Sequence, residues 1–270
     1  MNPQAIMFLI AVISLTDCAP LTSDSSSPLS VLFVNDFTLN FVEDDVALNF
    51  IDDVVQKTAQ KSTKCPASVY PEAAQQFDYT TAVVEAIDSS IELTLQYDFY
   101  RGGKGNFLNG FRFTRDDFAH DAGVLFRDFC LEGPEQSDLP TYVHNELQHA
   151  QDVDVLVLFT AAPASELAAA LPIDADMFKA VVVVGLNGAD AAAFYPDTSI
   201  SISDFASPET VACMINSAYS DIQQARAEPG YDVRQGLING CNGSRRVSTG
   251  QLRSRNEEFI PSSRFIFHWI

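Results

Sequence analysis

Two short motifs that place an acid three residues before a histidine are the sharpest chemical pattern in the chain. They are Asp117 with His120, and Glu146 with His149. Residues three apart share a helix face, so each unit can present a carboxylate and an imidazole to one ion. Oxygen and nitrogen ligands of this kind suit Zn, Fe or Mn. The four residues are therefore a candidate divalent-metal site, the alternative being histidines that are solvated or cap helices.

A second candidate site follows from the places where predicted strands end. In α/β sheets, ligands bind beyond the carboxyl ends of the strands. Four residues with hydrogen-bonding side chains follow such strands and are suited to a polar small molecule or a cation. The alternative is that these residues cap helices and form turns. The candidate ligand-binding residues are Asp36, Thr160, Asn187 and Asp204.

Familiar catalytic and nucleotide-binding signatures are missing from the sequence. It contains no glycine-rich dinucleotide motif, phosphate-binding loop, serine nucleophile elbow or HExxH zinc motif. The glycine-rich stretch from Gly102 to Gly105 lacks the spacing of a phosphate-binding loop and predicts a hairpin turn. No particular reaction is therefore indicated, and any catalytic residues are unknown at this stage.

The elements that must position these residues are predicted from hydrophobic patterns. Three valine-rich or apolar runs, at Ser30–Val34, Val153–Phe159 and Ala180–Val184, are typical of strands covered on both faces. A short helix at Ser165–Leu171 lies between the last two, which predicts a right-handed βαβ unit. Further predicted elements are an amphipathic helix at Phe41–Gln60, a strand at Thr198–Ser203 and a helix that opens with Ser207-Pro208-Glu209.

The segment Ser90–Tyr100 alternates strictly between apolar and polar residues. This alternation predicts a half-exposed strand with Glu92, Thr94, Gln96 and Asp98 facing water. Asn106–Phe113 is the predicted returning strand of a hairpin.

Together these elements predict an α/β (or α+β) fold. We expect a single domain over residues 30–270, with a mixed, partly parallel sheet flanked by helices. Residues 226–270 form a basic C-terminal segment with seven arginines against four acids, and Arg264–Ile270 is predicted to add a final strand.

The net charge of the whole chain is −20 at pH 7. Such a chain is repelled by phosphate backbones, which excludes nucleic acid as an expected partner. An apolar fraction of 47% is too high for a disordered acidic protein, so the acidic chain is expected to fold.

The N-terminus carries a short apolar run, Ala5–Leu15. Eleven helical residues rise about 16 Å, too short for a bilayer core of about 30 Å, so the run predicts a signal peptide over residues 1–18. The sequence Leu15-Thr16-Asp17-Cys18 resembles the signal of bacterial lipoproteins, which implies lipidation at Cys18 and membrane contact through that anchor alone. Residues 19–29 are rich in serine and are predicted to be a linker. The alternative is a buried N-terminal helix or strand.

The remaining cysteines number four, as two disulfides require in an oxidising compartment. They are Cys65, Cys130, Cys213 and Cys241. Three pairings are open, and the alternative is four buried thiols in a reducing cell.

These features favour an extracytoplasmic protein that is secreted, periplasmic or tethered to a membrane by lipid. The leading hypothesis is a binding or envelope protein that recognises a small polar ligand or a protein partner. The alternative is an exported hydrolase, assisted by a metal held by the two acid–histidine units.

Overall fold

The computed structural model describes residues 27–42, 70–105, 111–129, 133–170, 177–193, 199–202, 205 and 207–227. The predicted signal peptide with Cys18, most of the predicted helix at Phe41–Gln60 and the tail beyond residue 227 lie outside the described residues. The domain boundaries therefore stay predictions, with one adjustment. Leu29, at the end of the predicted linker, is buried in the first strand, where its amide donates to the Glu92 carbonyl at 2.8 Å.

In the described residues, the fold is built on one six-stranded mixed sheet with the order β3-β2-β1-β4-β5-β6. The predicted α/β class with a mixed sheet is confirmed. All neighbouring strands pair in parallel except β2 and β3, which form an antiparallel hairpin. The strands are β1 Leu29–Asp36, β2 Leu93–Arg101, β3 Lys104–Gly105, β4 Val155–Thr160, β5 Ala180–Gly185 and β6 Ser199–Ser201.

Five α-helices in the described residues cover both faces of the sheet. They are α1 Pro71–Ala86, α2 Arg115–Phe129, α3 Leu139–Asn145, α4 Ala164–Ala169 and α5 Pro208–Ala227. Alternate residues of β1 show the two faces: Phe33 belongs to the core beneath α1, α2 and α5, while Leu32 belongs to the core beneath α3 and α4. Each core strand is thus buried on both sides, which explains its near-continuous apolar sequence.

The strand β2 departs from the sequence prediction. Of the residues predicted to face water, Glu92 is exposed and Thr94 is half-buried, but Gln96 and Asp98 are covered, with 6% and 1% of their surface exposed. The cover is α3, whose Tyr142 donates a 2.8 Å hydrogen bond to Asp98. The prediction was wrong for Gln96 and Asp98, because polar side chains can be buried where their hydrogen bonds are made within the protein.

The predicted hairpin is present at its turn. Gly102 adopts a φ of +58°, which glycine reaches without a steric cost, and Arg101 pairs with Lys104 across the turn. Residues 106–110 lie outside the described residues. After them, Phe113 forms an isolated antiparallel bridge with Leu95 of β2. The chain then enters α2, whose first residue, Arg115, reaches back to the end of α1.

The arginine side chain of Arg115 closes the C-terminal end of α1. Its guanidinium donates to the carbonyls of Val84 at 2.9 Å and Ile87 at 2.7 Å. It also donates to Asp88 and Ile91 in the following turn, at 2.9 and 3.4 Å. Helix carbonyls that lack an intrahelical partner are satisfied in this way.

Within the described ranges, no helix combines the length and apolar character needed to cross a bilayer.

Candidate functional site

The strands β1 and β4 lie side by side at the centre of the sheet, with β2 on one side and β5 on the other. The order of strands reverses between them, and ligands of open α/β sheets bind beyond the carboxyl ends of the strands at such a point. Asp36 ends β1 and Thr160 ends β4. The structure therefore brings two of the four predicted ligand-binding residues to this part of the carboxyl edge of the sheet.

Asp36 is almost completely buried, with 1% of its surface exposed. Its Oδ1 accepts hydrogen bonds from the Thr38 amide at 3.0 Å and the Thr38 hydroxyl at 2.6 Å. Its Oδ2 accepts from the Tyr100 phenol and the Ala161 amide, both at 2.7 Å. Both carboxylate oxygens thus carry two donors each, and a cation would have to displace them.

Tyr100 connects this carboxylate to the end of β4. Its hydroxyl lies 2.9 Å from the Thr160 hydroxyl, and either oxygen can be the donor. Thr160 in turn accepts the Ala162 amide at 3.0 Å. We call the side chains of Asp36, Thr38, Tyr100 and Thr160 the Asp36 network. It joins the carboxyl ends of β1, β2 and β4.

The backbone of Asp36 is held from the opposite face of the sheet. Gln76 of α1 accepts the Asp36 amide at 2.7 Å and donates to the Asp36 carbonyl at 3.0 Å. Gln76 is 1% exposed, so the amide side chain continues the backbone pairing of β1 inside the core. The position of Asp36 is therefore fixed from both faces.

Burial controls the acid–base behaviour of the network. Desolvation raises the pKa of Asp36 above its ordinary value, and the bonds from Thr38, Ala161 and Tyr100 lower it in part. The pKa of Tyr100 is raised well above its ordinary value by burial and by the neighbouring Asp36 charge. Tyr100 therefore remains a neutral phenol through the physiological range.

A second buried carboxylate lies beside the first. Asp98 accepts the Tyr142 phenol at 2.8 Å and the Phe99 amide at 2.8 Å. The rings of Tyr142 and Tyr100 stack with centroids 5.0 Å apart. Gly105 lies so close that an added Cβ would be 2.6 Å from Asp98 Oδ2, so glycine is required there by space.

The other two predicted ligand-binding residues are not part of this network. Asn187 follows β5 in an exposed turn with a φ of +51°, where it fits the alternative of a turn residue. Asp204 lies outside the described residues, so its role as a ligand stays a prediction.

The structure does not bring the four candidate metal ligands together. Asp117 and His120 lie on α2, which covers one face of the sheet, while Glu146 and His149 follow α3 on the other face. Asp117 instead forms a capping pair with Thr114 at 2.8 Å, and His120 is 81% exposed beside Asp121. In the part of the chain that the structure describes, no group of three or more potential ligands can hold a metal ion.

Cysteine pairing is only partly visible. Cys213 of α5 is disulfide-bonded. Every other cysteine lies outside the described residues, so the predicted pairings of Cys65, Cys130 and Cys241 remain predictions.

Sequence reasoning missed Thr38, Tyr100 and Gln76, which complete the site. Tyr100 continues the polar side of the alternating strand, two residues after Asp98, and this was the available signal. Gln76 and Thr38 belong to the site only through the packing of α1 and the turn after β1. Their types are too common in helices and turns to stand out in a sequence.

No protein-family model and no curated protein matches the sequence. Among solved structures, the chain is similar to a D319A mutant of the PilB minor pilin from Streptococcus sanguinis. The TM-score is 0.47 with 9% identity, and the match covers 75% of this chain and 64% of that one.

Two further structures are similar at a comparable level. Proximal thread matrix protein 1 from the mussel byssus has a TM-score of 0.44 with 13% identity, over 70% of this chain and 47% of that one. A von Willebrand factor type A protein from Catenulispora acidiphila has a TM-score of 0.39 with 7% identity, over 72% of this chain and 43% of that one. The chain thus spans less than two thirds of each of these proteins.

Proposed function

We propose that the chain is an exported binding protein whose partner is another protein. Binding would use the loops at the carboxyl edge of the sheet and involve no bond-making chemistry. The observation that carries this proposal is the closure of the Asp36 network. The carboxylate of Asp36 and the hydroxyls of Tyr100 and Thr160 are bonded to one another and buried.

This closure favours a protein partner over a small ligand in the crevice. A small polar ligand needs unoccupied donors and acceptors that converge on a cavity. Here the side chains of the Asp36 network are already paired, and displacing them would leave buried polar atoms without partners. A protein partner can bind the loops above a rigid network without disturbing it.

The carboxyl edge presents polar, exposed positions to such a partner. Gln136 is exposed beside the end of β1, where the carbonyl of the neighbouring Glu135 accepts the Leu39 amide at 3.0 Å. Asp190 is exposed in the loop after β5. With a net charge of −20, we expect the partner surface to be basic, because complementary charge speeds encounter.

Export is supported by the sequence alone. The short apolar run Ala5–Leu15 is followed at once by a serine-rich stretch that contains Cys18. The intact mass of the mature protein tests this part of the proposal. Loss of the leader, or a lipid on Cys18, is expected, and a full-length unmodified chain would contradict export.

The binding proposal is tested with two matched double variants. Gln136→Arg with Asp190→Arg alters the carboxyl edge. Glu92→Arg with Gln151→Arg alters exposed positions that precede β2 and β4 at the amino edge. Each pair replaces one acid and one glutamine by arginine, so the change in total charge is the same.

The immobilised mature chain and both variants are incubated with proteins from the surface of cells that make the chain, and the bound proteins are quantified by mass spectrometry. A partner that binds the wild type and the amino-edge variant, but not the carboxyl-edge variant, is the expected result. A partner lost equally from both variants, or retained by both, would contradict binding at this edge.

A further inference from the structure

We propose that the Asp36 network is a proton relay, in which protonation of Asp36 reverses the donor direction of the hydrogen bonds to Tyr100 and Thr160. The relay lets a buried carboxyl take up a proton in the folded state while its contacts persist. This inference concerns the chain whatever its partner, so it stands or falls separately from the proposed function.

The ionised state fixes one direction along the chain of hydroxyls. The phenolic hydrogen of Tyr100 is donated to Asp36 Oδ2, so Tyr100 can only accept from Thr160. Thr160 accepts the Ala162 amide with another lone pair. In this ionised state, the donor and acceptor roles of the Asp36, Tyr100 and Thr160 oxygens are mutually consistent.

The protonated state is accommodated by reversing two bonds. A hydrogen on Asp36 Oδ2 is donated to Tyr100, and the Tyr100 hydrogen is donated to Thr160. Oδ2 keeps a lone pair for the Ala161 amide, which lies 2.7 Å away. The Thr160 hydrogen turns about its C–O bond toward another acceptor, and backbone carbonyls carry spare lone pairs for this purpose.

Titratable groups from several elements surround the relay. Glu166 of α4 raises the pKa of Tyr100, and Tyr142 of α3 stacks on the Tyr100 ring with Asp98 beyond it. From α1, the neutral Gln76 contacts the Asp36 backbone. Burial already raises the pKa of Asp36, which supports uptake of a proton in the folded protein.

The relay and a fixed set of hydrogen bonds make opposite predictions for Thr160→Val. In a relay, the variant removes the acceptor that Tyr100 needs when Asp36 is protonated, so the protonated form is disfavoured and the pKa of Asp36 falls. In a fixed arrangement, Thr160 only polarises the Tyr100 donor. Its loss then weakens the bond to the carboxylate, and the pKa of Asp36 is unchanged or rises.

The test follows the carboxyl carbon of Asp36 by NMR across a pH titration, with Asp36→Asn to assign the signal. We expect the midpoint to move to lower pH in Thr160→Val and to stay unchanged in Thr160→Ser, which keeps a hydroxyl. Thr38→Val removes a donor to the ionised form and should move the midpoint the other way. A midpoint in Thr160→Val at or above the wild-type value would overturn the relay.

A second measurement in the wild-type protein covers the case in which Thr160→Val does not fold. The Cζ signal of Tyr100 should change with the same midpoint as the Asp36 carboxyl, because the phenol changes from donor to acceptor at that bond. A Tyr100 signal that stays constant through the Asp36 titration would overturn the proposal. Unfolding of the protein before Asp36 takes up a proton would do so as well.

Discussion

Tyr100 and Asp36 are register partners on the parallel strands β2 and β1, and the phenol of Tyr100 donates a 2.7 Å hydrogen bond to the Asp36 carboxylate. The bond follows from strand pairing, because partners in a ladder place their side chains next to each other on one face. It lies at the last pair of the ladder between β1 and β2. The hydrogen bond between Tyr100 and Asp36 thus links the end of the strand ladder to the candidate site at the carboxyl edge of the sheet.

Removing the Tyr100 hydroxyl should weaken the fold. Tyr100→Phe deletes the buried hydrogen bonds to Asp36 and Thr160 and leaves buried polar atoms short of a partner, so we expect a loss of about 1–3 kcal/mol in unfolding free energy. Denaturant unfolding at pH 7 measures the loss. Tyr219→Phe on α5, outside the network, is the control and should change stability by less than about 0.5 kcal/mol. Equal effects of the two substitutions would contradict a stabilising role of the Tyr100 hydroxyl.

The raised pKa of Asp36 predicts the sign of a pH effect. Because the folded state binds this proton more tightly than the unfolded state, the contribution of Asp36 to stability is greatest at low pH. It falls as the pH rises from the ordinary aspartate value through the folded pKa and is constant above that. Asp36→Asn should therefore cost more unfolding free energy in acid than at neutral pH.

This prediction is checked by the difference between wild-type and Asp36→Asn unfolding free energies at a series of pH values. Taking the difference cancels the titration of the other carboxylates. A cost that grows as the pH rises would show that folding lowers the pKa of Asp36, which is the opposite of the expected direction.

Arg115 is expected to stabilise the end of α1 through its carbonyl contacts. Arg115→Ala removes a charged donor from the carbonyls of Val84 and Ile87, with an expected loss of about 1.5–3 kcal/mol. Arg115→Lys keeps the charge but not the planar fork, so it should recover only part of that loss. Thermal or denaturant unfolding measures both variants.

Arg112→Ala is the matched control for Arg115. Arg112 forms an exposed ion pair with Asp152 at 3.3 Å, and such pairs contribute about 0–1 kcal/mol. If the Arg112 variant were as unstable as the Arg115 variant, capping of α1 would not be the source of the effect.

Gly105→Ala should be strongly destabilising because the new Cβ would lie 2.6 Å from Asp98 Oδ2 and 2.7 Å from the Tyr142 ring. Overpacking of this kind costs about 1–3 kcal/mol. Gly188→Ala tests backbone strain alone, since its φ is +77° and a Cβ there meets nothing within 4 Å. We expect the smaller loss, about 1 kcal/mol, at Gly188. The reverse order in the losses of unfolding free energy would contradict the tight packing of Gly105 in β3 against Asp98 and Tyr142.

The fold was largely predictable where residues form uninterrupted apolar runs. The predicted strand Ala180–Val184 is β5, and Pro208 opens α5 as its position after Ser207 suggested. Prediction was wrong for the exposure of Gln96 and Asp98 in β2. Alternation shows which residues share a face, but whether a helix such as α3 covers that face is decided by tertiary packing.

The candidate site was predictable only in part for a similar reason. The rule that ligand sites lie at strand ends pointed to Asp36 and Thr160, which lie near each other because both end central strands. Their role as ligand-binding residues stays a prediction. The rule could not show that the Tyr100 hydroxyl bridges the two side chains by hydrogen bonds. Asp117 and His120 do share an α-helix, whereas Glu146 follows the last residue of α3 and His149 lies in a short 3-10 turn. Only the tertiary structure could show that the two units lie on opposite sides of the sheet.

Native-state hydrogen exchange of the Thr38 and Ala161 amides tests the closed Asp36 network most directly. Both amides donate to the Asp36 side chain, at 3.0 and 2.7 Å, so their protection depends on that carboxylate. We expect slow exchange of both amides in the wild type and selective loss of that protection in Asp36→Ala, with Val157 in β4 as the internal reference. Exchange of Thr38 and Ala161 in the wild type as fast as that of the exposed Asn187 amide would contradict a closed network.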